Sequence, residues 1–182
     1  MHASRLAPQR HDRAPDSAAA THGTGSQDTL QLLLPVKRAS DIVFGARYAK
    51  RLQEWGICVS VSLLHVTPAQ ARPATGLPQQ GAAEDAGSTL TLATEQIMHE
   101  AGLYLSRSHI DFTTHIFSGE IIFTILDTAE MLGCHEIVLP AIKKSSWRNR
   151  FSDALARKLA RASRSATVLL ANTDGMSCPP LR

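Results

Sequence analysis

Apolar residues fall along the chain in two alternating rhythms. Leu30 to Val36 ("LQLLLPV") is a nearly continuous apolar run, the pattern of a strand buried on both faces. From Asp41 to Trp55 the period lengthens, and Ile42, Ala46, Ala49 and Leu52 form one helical stripe with Lys50, Arg51 and Glu54 outside it. Gly56 then stops the helix. Cys58 to Val66 ("CVSVSLLHV") is rich in strand formers. A helix is predicted over Thr89 to Leu105, with Leu90, Ala93, Ile97, Ala101 and Leu105 in phase. "HIDFTTHIF" alternates at Ile110, Phe112, Thr114 and Ile116, which predicts a strand with one polar face, near a sheet edge. Gly119 to Leu132 is a helix facing inward through Ile122, Ile125, Ala129 and Leu132, and "HEIVLP" is a short strand. Ser152 to Ser163 is a helix with Ser152 as its N-cap. Leu155, Leu159 and Ala162 point inward; Arg157, Arg161 and Arg164 point out. "ATVLLAN" is the last strand.

Strands alternating with helices imply a parallel α/β sheet covered on both faces. Three segments carry no such rhythm. Residues 1–28 are rich in Ala, Ser, Gly, Pro, His and Arg, 67–88 shows no hydrophobic period either, and 173–182 is short. They are expected to be a disordered tail, a mobile surface loop and a frayed tail around one domain, 29–172.

Composition changes this picture little. The 182 residues are 43% hydrophobic and 19% charged, the proportions of an ordinary globular domain. No apolar run approaches the ~18 residues of a membrane span, and the N-terminus lacks the apolar core of an export signal. A cytoplasmic location is therefore expected. Cys58, Cys134 and Cys178 form no CxxC pair, so buried or idle thiols are expected rather than a disulfide framework. His109, His115 and His135 have no metal-ligand spacing.

Charge matters more. Leu139 to Ser165 holds eight Lys/Arg and one acid, Asp153, so this segment carries +7 and the remainder −4. Such a segment serves as a solvated helix face or as a surface for an acidic partner or nucleic acid.

In parallel sheets, ligands bind beyond the carboxyl ends of the strands, where the strand order reverses. Three places then matter: Val36 to Ser40, His65 to Thr67, and Pro140 to Ser152. Lys37, Lys143, Lys144, Ser145, Ser146 and Arg148 could hold an anion there with side-chain cations. The alternative is an exposed loop that binds nothing specific. His65 reads as a satisfied structural histidine. Ser40 or Asp41 reads as a helix cap in preference to a nucleophile–base pair. Phe44, Tyr48 and Trp55 line a second helix face, for packing or for a partner. No triad, paired carboxylates or metal box supports hydrolysis, so no catalytic residue and no metal are assigned.

Four segments together resemble the universal stress protein family from about Leu30 to Asn172: "LLLPVKRASD", "VSVSLLHVTP", "GEIIFTILDTAEMLGCHEIVLP" and "ALARKLARASRSATVLLAN". The resemblance implies a Rossmann-like five-stranded parallel sheet of order 3-2-1-4-5. It also implies a homodimer paired through the last strand: Thr167, Val168, Leu169, Leu170 and Ala171. Family members that bind ATP carry G-x2-G-x9-G-S/T after strand four. In this chain those positions are Pro140, Lys143, Asp153 and Ala154, and none is retained. The family's Asp at the end of strand one is Lys37 here.

Glycines let the backbone approach phosphate and turn its amides inward. Pro140 has no N–H to give, and Asp153 places a negative charge where phosphate would sit. The expectation is a divergent, non-catalytic, dimeric binding or regulatory module of the stress response with no cofactor, ATP and AMP being disfavoured. Its partners are a second copy and an unidentified protein, with no membrane. The alternative is a nucleotide- or nucleic-acid-binding stress protein using Lys143, Lys144 and Arg148 in place of the glycine-rich loop.

Overall fold

A computed structural model describes residues 29–68, 82–141 and 149–180. The expected tail at 1–28, residues 69–81 of the expected loop, and Lys143, Lys144, Ser145, Ser146 and Arg148 lie outside the described residues. In chain order the elements are β1 (Leu30–Pro35), a single 3-10 turn (Ala39–Asp41), α1 (Ile42–Glu54), β2 (Val59–Pro68), α2 (Ala82–Arg107), β3 (Asp111–Gly119), α3 (Ile121–Met131), β4 (Glu136–Pro140), α4 (Asn149–Ala162), β5 (Thr167–Ala171) and β6 (Ser177–Cys178).

The sheet order is β3-β2-β1-β4-β5-β6. The first five strands in that row pair in parallel, with Leu30 opposite Val59, Leu32 opposite Glu136 and Glu136 opposite Thr167. The expected 3-2-1-4-5 order is therefore present. Right-handed crossovers that run outward from β1 and then return place α1 and α2 on one face and α3 and α4 on the other. Two cores follow. Leu32, Leu34 and Val36 of the first strand and its exit join α1 and α2. Leu33 joins α3 and α4 through Ile125, Ala129, Ala156 and Leu159. This is why the strand is apolar at consecutive positions from Leu32 to Val36 rather than at alternate ones.

The α1 stripe is as expected, with Ile42, Ala46, Ala49 and Leu52 all buried. Gly45 permits its close approach: a Cβ there would lie 2.7 Å from both Cδ atoms of Leu34. Of the second aromatic face, Tyr48 is buried, Phe44 is half-buried and Trp55 is exposed beneath the Arg51 guanidinium, 5.4 Å from its ring centroid. The α3 N-terminus is capped by Glu120, whose carboxylate accepts from the Phe123 N–H at 2.7 Å. That arrangement satisfies one orphan amide and places negative charge at the positive helix end. Glu120→Ala will lower stability by about 0.5–1 kcal/mol in urea unfolding; an unchanged midpoint would show that solvent replaces the cap fully.

Several boundaries differ from expectation. The segment 67–88 is not all loop, since β2 runs through Pro68 and α2 already begins at Ala82. In α2, Ala93 is exposed, and the buried row is Thr94, Met98, Ala101 and Leu105. Thr94 is buried although its hydroxyl marks it as polar in the sequence. Ser152 is not the N-cap of α4, which begins at Asn149, and Ala162 at its other end is exposed.

The largest correction concerns the last strand. Among the described residues the sheet has six strands rather than five, and β5 is not an edge. The expected frayed tail at 173–182 turns back, and β6 pairs antiparallel with β5, Cys178 opposite Leu170 and Ser177 opposite Ala171. The five residues expected to pair with a second copy thus already have a neighbour over part of their length. The turn is local chemistry: Asn172 Oδ1 accepts from the N–H groups of Asp174 and Met176, both at 2.9 Å, and Gly175 takes φ +73°.

Candidate functional site

The strand order reverses between β1 and β4, and α/β folds hold ligands beyond the carboxyl strand ends at such a point. Three strand exits stand at this rim. At the first, Val36 continues the ladder by donating its N–H to Leu64 O at 2.8 Å. The chain then turns, and the carboxylate of Asp41 reaches back to accept from the N–H groups of Lys37 (3.2 Å) and Arg38 (2.9 Å). Asp41 is therefore a turn-closing acceptor; it stands at the N-cap position of α1, but its side chain bonds backward to the 3-10 turn and gives α1 no side-chain cap. The Lys37 side chain is exposed.

At the second exit, His65 is buried and its Nδ1 lies 2.9 Å from Val36 O. With Nδ1 protonated, the imidazole ties the ends of the first two strands together. Beyond it, Thr67 Oγ1 donates to Ser118 Oγ at 3.1 Å and stands 3.2 Å from Phe117 O. At the third exit, Pro140 faces Ala171, and the Ala141 N–H donates to Ala171 O at 2.7 Å. Asp153 and Ala154, at the expected third and fourth motif positions, are half-buried in the first turns of α4.

Of the six residues expected to hold an anion, the described residues thus include only Lys37. Sequence reasoning missed that three main-chain donors of the described rim are already engaged. Lys37 and Arg38 give theirs to Asp41, Ala141 gives its own to β5, and Pro140 has none. An acidic residue four positions after Lys37 was the only signal.

Other candidates are placed by packing. His135 Nδ1 accepts from the Gln31 N–H at 3.0 Å. His115 lies 3.1 Å from Thr113 Oγ1 and stacks on Phe117 with centroids 6.2 Å apart. Among the described residues no group of three or more His, Cys, Asp or Glu is arranged to hold a metal. Cys134 is buried, which pushes its thiol pKa up, opposed in part by a hydrogen bond with Ser62; Cys58 and Cys178 are exposed. No helix among the described residues is long and apolar enough to cross a membrane. Two open clefts, about 570 and 420 Å³, lie beside α4 and β5 and beside α1 and the β5–β6 turn. Neither reaches the rim.

No family model matches the sequence, and no curated protein matches it. Solved structures do match in shape. The universal stress protein UspA from Lactobacillus plantarum is 19% identical, with a TM-score of 0.54 over 78% of this chain and 97% of that one. A universal stress protein from Archaeoglobus fulgidus, solved in complex with dAMP, is 14% identical, with a TM-score of 0.51 over 76% and 96%. A hypothetical protein whose biochemical function was assigned from its structure is 16% identical, with a TM-score of 0.57 over 78% and 94%. The chain has the fold of the universal stress proteins, a mostly parallel sheet between two helical layers.

Proposed function

We propose that this chain is a non-catalytic binding module of the universal-stress type, working in a stress response without a nucleotide held on a glycine-rich loop. One observation carries the reading: where the fold offers a phosphate cradle, the amides of Lys37, Arg38 and Ala141 are already bonded within the chain. Opening them to phosphate would leave Asp41 without donors and a carboxylate beside the anion, a doubly unfavourable exchange. Pro140, Asp153 and Ala154 in place of the motif residues act in the same direction. The likeness to a structure holding dAMP speaks for the fold. The reading is one of recognition rather than turnover, with a protein as the partner class.

Thermal unfolding with ATP, AMP and tripolyphosphate tests this. At about 5 mM ligand, a site with a Kd near ~50 μM would add about 2.7 kcal/mol, several degrees in Tm. A Tm unchanged within about 1 °C is expected for all three. A rise with ATP and AMP alone would overturn the proposal. A rise with ATP and tripolyphosphate alike would replace it with the basic-loop reading through Lys143, Lys144 and Arg148.

A further inference from the structure

We propose that the sheet edge at β3 takes up an extended, lysine- or arginine-rich segment of a partner protein as an added strand. This names a surface for the protein partner proposed above and rests on that reading. It is tested separately, because nucleotide titrations read the rim and a peptide titration reads this edge.

β3 ends the strand row and pairs on one side, with β2. Among the described residues no strand pairs with its other side. Its nine residues run in unbroken register from Asp111 opposite Ser60 to Gly119 opposite Pro68. Phe117 O lies 3.2 Å from Thr67 Oγ1 and so points toward β2. In a parallel ladder alternate residues face opposite ways, which turns the main-chain groups of Thr114, Ile116 and Ser118 to the open side. Sheet edges are guarded by shortness, proline, lysine or a bulge. β3 has none of these. The opposite edge strand, β6, is two residues long and is followed by Pro179 and Pro180.

The side chains around β3 identify what it takes. Ile116 and Phe117 are exposed on the strand, and Ile121 and Phe123 are exposed at the start of α3. Large apolar side chains this close together and open to solvent mark a surface for association. The charge is one-sided. From Ala82 to Met131, the span of α2, β3 and α3, the sequence holds eight acids and a single cation, Arg107. Asp111 and Glu120 bracket the strand, and both are exposed. Gly102 sets α2 against β3, since an added Cβ there would lie 3.2 Å from the Phe112 ring. Glu95, two turns earlier on the same side of α2, is exposed. Asp127 and Glu130 are exposed on α3.

This charge selects the occupant. A second copy of the same edge would set acid against acid, and a nucleic acid would be repelled by the same carboxylates. The complement is a strand that bonds to the open main-chain row, carries cations toward the acids and covers Ile116 and Phe117 with apolar side chains.

The full chain is titrated, in about 150 mM salt, into a fluorescein-labelled peptide of alternating lysine and valine about nine residues long, followed by anisotropy. Saturable binding below about 100 μM is expected. A peptide with the same residues in two blocks, and one with glutamate for lysine, are each expected to bind at least about tenfold more weakly. Ile116→Lys places a guarding charge on the strand, and Thr114→Pro removes an outward N–H; each is expected to weaken binding about tenfold. Ile116 is exposed, so its variant keeps the fold and decides the matter even where Thr114→Pro does not fold. Absence of saturable binding to the wild type overturns the proposal. Equal binding of the alternating and block peptides overturns it too, as does unchanged binding by Ile116→Lys, because charge alone would then be acting. A wild-type dimer in light scattering that Ile116→Lys dissociates also overturns it, by giving the edge to a second copy.

Discussion

Leu33→Ala will destabilise the protein by about 3–4 kcal/mol, within the range for leucine truncation in a rigid core. Leu33 is fully buried on β1, the third strand in the row. It lies on the α3/α4 side with Leu64, Ile137 and Ile125. Its neighbours on either side are strands fixed by ladder hydrogen bonds, so they cannot move in to fill the space. The cavity term therefore adds nearly in full to the lost transfer energy. The helices above are the only elements free to shift, and Ala129 and Ala156 there have no side chain long enough to reach down. Urea unfolding followed by far-UV circular dichroism checks this. A loss below about 1.5 kcal/mol would mean that the helical layer collapses onto the strand, and that the α3/α4 core is softer than its burial implies.

The same residue shows why much of the fold was legible. Leu32, Leu33 and Leu34 have to be apolar together because one strand feeds two cores, and that leaves an unbroken run in the sequence. The α1 stripe was legible because each of its buried positions is a simple aliphatic residue. The α2 row was misphased because a threonine, Thr94, occupies a buried position. β6 was invisible for a different reason. It is a two-residue strand with no hydrophobic period, and it exists because Asn172 folds its side chain over the turn and Gly175 can adopt a positive φ. Local turn chemistry with a long-range consequence leaves only an Asn and a Gly to read.

The candidate site was legible in position and not in state. The strand order places the rim at Lys37 and Pro140, and both stand there. Whether a rim amide is available depends on who else bonds to it, and an Asp four residues on is consistent with a cap, a base or a bystander. Only the geometry, with one Asp41 oxygen taking two amides, separates these.

Tyr48→Phe will cost about 1.5–2 kcal/mol at neutral pH and will flatten the alkaline limb of the stability profile. The Tyr48 hydroxyl, on the buried face of α1, donates to Glu136 Oε2 at 2.9 Å. Burial pushes its pKa up to about 12; a hydrogen bond with Ser177 lowers it somewhat, and Glu136 raises it by hydrogen bonding and by charge. One phenol thus links α1, β4 and β6. In the unfolded chain a tyrosine titrates near its usual value of about 10. Between about pH 10 and about pH 12 the folded protein therefore holds a proton that the unfolded chain has lost. Stability contributed by this group is complete below the lower value and is lost as pH rises through the upper one. The shift of about two units corresponds to at most about 2–3 kcal/mol. The phenylalanine variant has no proton to hold, so its stability changes less across that window. The gap between the two proteins then narrows from pH 10 upward, although it is widest at neutral pH. Urea midpoints taken through this window read the difference directly, because the lysines and the other tyrosine titrate in both proteins and cancel. Parallel curves would sink the assignment, since they would mean that the phenol ionises at the same pH whether or not the chain is folded.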